Sequence, residues 1–437
     1  MNFSRRTKIG AVIAGAAAIA LLATGCSSSG GSGSSDASGT TIKYWASNQG
    51  TSLANDKAVL TPLLKKFEKQ TGIKVDLEVV GWNNLQNRIN TAVTSGAGPD
   101  VTNIGNTWAP YLQATGAFLP YDSSNMTAIG GKDKFVETAL ATGGQEGKDL
   151  TSVPLYGLAY GLYYNKKMFA DAGLTPPTTW EEMVADAKKL TTPTVWGMGL
   201  EAGSYTENVH FAFITASQNK ASFFKGQKAD FTQPGAVDGV KRYLDLMQTD
   251  KVVDPSNAQY TTGTEASADF AKGKVAMIVN QDNANALLES NGMSASDYGV
   301  VAIPAPQGGK KISSGIQGIN ISIYKNTKHK DAALKFVKFM TSAATQDVLG
   351  KPYVSIPVLK DVKPTFTDDA ALAKTFQDIY NDASAPYPLV PLEGAFETNV
   401  GNAVNNLFAT IATGGKVSDA DVKAALQTAE DKTNAAG

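Results

Sequence analysis

One pattern near the start of the chain does most to restrict its fold. Residues 41–45 have the make-up of a short strand. Leu60, Leu63, Leu64 and Phe67 then recur at helical spacing with Gly72 as a stop, and Ile73, Val75, Leu77 and Val79 alternate. Strand, helix and strand in succession form a βαβ unit, which predicts parallel pairing with a right-handed crossover. Trp82, Leu85, Ile89 and Val93 mark a second helix face. A Gly-Ala-Gly-Pro-Asp turn at 96–100, a short strand at 101–104 and a helix around Trp108, Tyr111 and Leu112 follow, with Gly116 as its stop. These pieces outline an open α/β lobe.

The middle of the chain, residues 153–190, reads as a crossing between two such lobes. Residues 153–165 are an apolar and aromatic run broken by Gly157 and Gly161, suited to an extended strand that another backbone or a ligand approaches closely. Thr179 and Glu182 have the spacing of a capping box, and Pro176 and Pro177 resist helix just before it. Trp180, Met183, Val184, Ala187 and Leu190 then share one helical face. Further on, Val237, Val240, Leu244 and Met247 predict a helix, residues 275–279 a strand, and Ala333, Phe336, Val337 and Met340 another helix. A C-terminal helix is capped near Ser418.

The first forty residues are of a different kind. Arg5, Arg6 and Lys8 precede an apolar run, 9–23, that is shorter than the ~20 residues needed to span a bilayer, as in an export signal. The run ends in Leu-Ala-Thr-Gly-Cys, which resembles a bacterial lipobox with Ala23 in place of the usual Leu. Cys26 is the one cysteine in 437 residues, so no intrachain disulfide forms and a lipid-modified N-terminus is expected. Arg5-Arg6 is similar to part of a twin-arginine signal, but Lys8 stands where that motif wants an apolar residue, which favours general secretion. Residues 1–25 are thus read as signal peptide. Residues 26–40, rich in Ser and Gly, are read as a flexible tether of roughly 20 Å reach.

Composition narrows the chemistry. With 39 Lys and Arg against 40 Asp and Glu, the net charge of -1 gives no reason to expect nucleic acid as a partner. The two histidines, His210 and His329, are far apart in sequence, and HExxH, CxxC and GxSxG are all absent. Gly197–Ala202 fits a loose dinucleotide fingerprint without the strand-turn-helix unit that the motif needs. A secreted glycosidase needs only two carboxylates. It is the main enzymatic rival to a binding module, which needs a cleft with apolar platforms and a few placed polar groups.

The ordered motifs resemble those of the extracellular solute-binding proteins of ABC importers, the family that includes maltose-binding protein. FEKQTGIKV, SGAGPDV and ATGAFLPYD open the match; YNK, AGL, a proline pair and TWEEM continue it. FAKGKVAM, then YGV with IPAP, complete it. The resemblance implies a two-lobed, mixed α/β, type II periplasmic-binding-protein-like fold with a hinge and an interlobe cleft. Residues 41–155 plus 319–350 would form one lobe and 156–318 plus 351–437 the other. It also implies a non-enzymatic monomer without cofactor, held by lipid on the outer face of the cell membrane. This monomer would deliver a mono- or oligosaccharide to permease subunits. A polyol or polyamine is the alternative ligand; clustered carboxylates in the cleft would favour a polyamine, and stacked aromatics a sugar.

Ligands of open α/β lobes sit at the carboxyl ends of strands. That rule selects Ser47, Asn48 and Gln49 after the first strand, Trp82 after the next, and Asn106, Thr107 and Trp108 after 101–104. From the other lobe it selects Tyr160 and the cluster Asn280, Gln281, Asp282 and Asn283, although such a cluster also suits a plain polar turn. Trp45 is read as core, Trp180 as helix packing and Trp108 as the main sugar platform. Three departures stand out from sugar-binding relatives. Asn280–Asn283 replaces a GPW loop, Leu158 stands near the place of an acidic sugar ligand, and Phe396 is the one aromatic left near the usual C-terminal site.

Overall fold

The alternation and helical spacing at the start of the chain build the sheet they predict. Thr41–Ser47 (β1) turns Ile42, Tyr44 and Ala46 inward, and Leu60, Leu63, Leu64 and Phe67 lie buried along Leu53–Thr71 (α1). The Ser52 side chain accepts from the Asn55 N–H at the start of α1, and Gly72 ends it at φ 72°, a left-handed cap. Lys74–Val80 (β2) then runs parallel to β1 with Thr41 opposite Lys74. Trp82–Ser95 (α2) leads to Val101–Gly105 (β3), which pairs parallel to β1 on its other edge. The computed structural model describes residues 39–437; the export signal, Cys26 and the tether up to residue 38 lie outside the described residues.

The apolar run at 153–165 differs from its expectation. It is two strands, Val153–Leu158 (β4) and Tyr160–Asn165 (β5), interrupted at Ala159, and the two belong to different sheets. Gly157 faces a Tyr380 ring atom that a Cβ would meet at 2.9 Å, and both its backbone groups pair with Ile356. Protein, not ligand, therefore fills the approach that this glycine permits.

Beyond it come the capped helix Trp180–Leu190 (α3), Trp196–Gly199 (β6), the helix Tyr205–Gln218 (α4), Val275–Gln281 (β7), Tyr298–Val301 (β8), Gln317–Ile323 (β9) and the long helix Glu393–Ala412 (α5). The capping box at Thr179 and Glu182 is present as read. The first sheet has the order β2-β1-β3-β9-β4, with β9 antiparallel to both neighbours; the second has the order β8-β5-β7-β6, with β6 parallel to β7.

Each sheet has its own apolar core. Tyr44, Phe67 and Phe336 meet edge to face at 5.0–5.2 Å on the first. Phe211 stacks on Tyr243, which meets Phe408 edge to face, behind the second. Each such fully buried side chain contributes roughly 1.5–3 kcal/mol. The chain passes between the sheets at Ala159, near Ser314–Gly315 and after Tyr353. These crossings are stitched together: Ser314 Oγ accepts the Tyr160 N–H at 3.1 Å, and Ser313 Oγ donates to the Tyr160 carbonyl at 2.9 Å.

Candidate functional site

The cleft between the sheets opens where β1, β2 and β3 end. Asn48 and Gln49 follow β1, and Asp56, buried in the first turn of α1, gathers this loop. Its Oδ1 accepts the Gly50 N–H at 2.8 Å, while its Oδ2 accepts the Gln49 N–H at 3.2 Å and the Asn48 side chain. Burial raises the Asp56 pKa and these bonds oppose the rise, as does the helix N-terminus where the carboxylate sits. After β2 the chain turns at Gly81 into Trp82. After β3 a single turn carries Asn106, Thr107 and Trp108. The two indoles stack with centroids 4.8 Å apart and planes 24° apart. Gly105 makes room for them, since a Cβ there would lie 3.1 Å from Trp108 and 3.2 Å from Trp82.

The facing wall comes from α4, α5, the end of β7 and the loop at 262–264. Glu265 holds that loop by accepting the Thr262 and Thr264 N–H groups. Glu207 and His210 present one face of α4. The Tyr160 hydroxyl donates to Glu207 Oε2 at 2.8 Å and lies 2.8 Å from His210 Nδ1. Burial raises the Glu207 pKa by more than His210 and Tyr160 lower it. The walls touch at one end, where Trp108 Nε1 donates to Glu397 Oε2 at 2.9 Å and the Tyr205 hydroxyl donates to Gln86 at 3.1 Å. The space enclosed is about 190 Å³. It is on the scale of the roughly 150 Å³ engineered cavity that admits benzene, so this conformation has room for little more than one ring. Among the described residues, no Lys or Arg lines the cleft and no His, Cys, Asp or Glu cluster could hold a metal ion.

The bacterial extracellular solute-binding protein family matches residues 50–347, more than half of the chain. The chain belongs to that family. The chain spans 66% of the length of a putative binding protein of Brucella abortus, at 28% identity over 63% of its own length. It is 27% identical to the diacetylchitobiose binding protein DasA of Streptomyces coelicolor, over 82% of this chain and 83% of that one. Its fold is that of the GacH receptor of Streptomyces glaucescens, known unliganded and with acarbose. The TM-score is 0.77 at 22% identity, covering 91% of this chain and 98% of the receptor. The two-lobed, mixed α/β fold expected from the resemblance is thus present.

In this solute-binding protein the predicted residues divide. Asn48, Gln49, Trp82, Asn106, Thr107, Trp108, Asn280, Gln281 and Asn283 line the cleft. Trp108 is only 2% exposed and Trp82 half-buried, so Trp82 carries the more accessible indole. Four others face elsewhere. Ser47, the last residue of β1, is buried and accepts from Asn103. Tyr160 is wholly buried and touches the site through Glu207 and His210. Asp282 clamps the crossing: its Oδ1 accepts the Ala159 N–H at 2.9 Å and its own N–H donates to the Ala159 carbonyl. Phe396 packs among Phe223, Phe224 and Phe231, with centroids 5.0–5.7 Å away, on the side of α5 turned from the cleft. The strand expected over 275–279 runs on to Gln281, which places Asn280 and Gln281 in the ladder opposite Gly161 and Tyr160.

Glu207, His210, Glu397 and Asp56 were not singled out by sequence. One signal was present for the first of these, because Ser204 and Glu207 have capping-box spacing and Ser204 does cap α4. That helix is buried on nearly every side from Asn208 to Gln218, so it lacks the one-sided periodicity that reveals a surface helix.

Proposed function

We propose that this protein captures a carbohydrate between its lobes and hands it to the permease of an ABC importer. It would work as a monomer held at the outer face of the cell membrane through lipid on Cys26. The observation that carries this reading is the pair of stacked indoles, Trp82 on Trp108, set among the amides of Asn48, Gln49, Asn106 and Gln281. A sugar ring offers C–H faces to an indole and hydroxyls to amides, and this cleft supplies both. The names of DasA and of the GacH complexes point the same way for those relatives.

Capture is read as a hinge motion of two lobes, expected over residues 41–155 plus 319–350 and 156–318 plus 351–437, with each boundary moved a few residues to the crossings at Ala159, near Ser314–Gly315 and after Tyr353. Ligand touching both walls would stabilise the closed form by its difference in affinity for the two states. The test is a thermal-shift screen over mono- and oligosaccharides, with polyols and polyamines beside them because Glu207 and Glu397 line the cleft. A sugar present at about 100 times its Kd should add about 2.7 kcal/mol of stability. If no saccharide raises Tm, or if oligosaccharides are cleaved during incubation, the carbohydrate-capture reading falls.

A further inference from the structure

The second wall of the cleft carries two acids, Glu207 and Glu397, with one histidine, His210, between them and no Lys or Arg. Glu397, one turn of α5 beyond Glu393, is 1% exposed and lines the cleft. Its Oε2 is engaged by Trp108, whereas its Oε1 has no hydrogen-bond partner and lies 3.9 Å from His210 Nε2. Glu393 is wholly buried with neither oxygen partnered as a carboxylate. Burial, then the neighbouring Glu397, push the Glu393 pKa well up. Burial penalises the Glu397 charge too, but the nearby His210, with Glu393 and Thr107, outweighs it and holds this carboxyl below its usual range. The more acidic member of the pair is therefore the one at the cleft. A buried carboxylate oxygen without a donor is costly, and Glu207 adds a second acid on the same wall. His210 faces both acids and can offset only one of them, so a hydroxyl would supply Glu397 with a hydrogen bond alone, whereas an ammonium supplies the bond and the second positive charge.

Resting on the carbohydrate reading above, we propose that the cleft takes a saccharide bearing a protonated amine, its ring on the Trp82 face and its ammonium against Glu397. A sugar acid or sugar phosphate meets two acids with one histidine already between them and no Lys or Arg, so this cleft rejects it.

The test is calorimetry at pH 7 on the purified protein with matched probes: glucosamine, glucose and glucuronate, and the disaccharides chitobiose, diacetylchitobiose and cellobiose, with spermidine as a ring-free amine. The amine sugar should bind at least tenfold tighter than its neutral isostere in one of the two series, and glucuronate should not bind. In Glu397→Gln, which keeps an acceptor for Trp108, the preference for amine over neutral sugar should fall toward unity. Glu207→Gln should reduce it by a smaller factor, and it serves as the reading if Glu397→Gln does not fold. Equal or tighter binding of glucose, cellobiose or diacetylchitobiose overturns the proposal and leaves carbohydrate capture standing. Binding of spermidine with no sugar bound overturns both.

Discussion

The two walls of the cleft are made in opposite ways. The first consists of strand ends: three parallel strands stop at one edge, and the few residues after each stop, Asn48 with Gln49, Trp82, and Asn106 to Trp108, fall together because the strands do. Its polar groups are mostly neutral amides, and its one buried carboxylate, Asp56, spends both oxygens on the backbone and side chain of the loop it shapes. The second wall consists of helix faces brought from segments almost two hundred residues apart. Its acids are Glu207 and Glu397, beside the amides of Asn280, Gln281 and Asn283, and burial raises the pKa values of Glu207 and of Glu201 and Glu393 behind it. One wall is a shaped platform; the other is a store of electrostatic cost that a ligand or a proton can relieve.

The largest expected effect separates wall from core on α5. Phe396 and Glu397 are adjacent in sequence, yet Phe396 belongs to the aromatic cluster with Phe223 and Phe231. Phe396→Ala should cost about 3–5 kcal/mol of stability, read by urea unfolding, while ligand affinity in the folded fraction stays that of the parent. A specific loss of affinity would mean that α5 presents its other face to the ligand. On the first wall the balance reverses. Trp82→Ala should lower affinity by about 1–3 kcal/mol, roughly tenfold to hundredfold, at small cost in stability because the ring is half-buried. Trp108→Ala should hurt both, since that indole is buried, stacked and bonded to Glu397. Trp180→Ala, which removes a ring packed under Arg242, should cost stability alone. If Trp82→Ala binds the best sugar as the parent does, the platform is Trp108.

The same contrast explains what could be read from the chain. Alternation in β1 and β2, the helix stop at Gly72 and the strand ends were legible because local spacing determines them, and nine of the residues chosen by the strand-end rule do line the cleft. Asp282 was misread because its place depends on β4 and β5 parting at Ala159, and nothing in the continuous apolar run at 153–165 marks that break. Phe396 was misread because a single aromatic near a helix start does not say which side of the helix meets the core. Glu397 and His210 could not be paired from sequence at all, for their proximity rests on the packing of α4 against α5.

The carboxylates of the second lobe should also make it the pH-sensitive half. Burial, with a smaller contribution from Glu265, pushes Glu201 up to about 9, so the native state holds a proton that the unfolded chain releases near 4.5. This contribution to stability is complete below about 4.5 and is lost as pH rises toward 9, with a slope of at most about 1.4 kcal/mol per pH unit. Glu201→Gln keeps an acceptor for the Ala266 N–H and a donor toward Glu265 without titrating. Unfolding curves at pH 5, 7 and 8.5 should therefore show the variant gaining on the parent as pH rises. Parallel stability profiles would place Glu201 in contact with water or a cation.

The smallest effect tests whether the walls hold each other. The Tyr205 hydroxyl, from α4, donates to Gln86 of α2 across the mouth of the cleft at 3.1 Å. Both groups are polar and Tyr205 is half-buried, so on opening each finds water in exchange and the bond's net contribution is modest, about 0.5–1.5 kcal/mol. That amount belongs to the closed form only. Tyr205→Phe keeps the ring and removes the bond, so the folded lobes should be as stable as before while the closed fraction falls. A ligand that binds the closed form pays for closure out of its own affinity, and its apparent Kd should rise about two- to tenfold, through faster dissociation more than slower association. Gln86→Leu should give the same shift, and the double variant should add little, because either change alone breaks the one bond. If the two changes instead add in full, Tyr205 and Gln86 act on the ligand separately and the walls are not latched to each other at this edge.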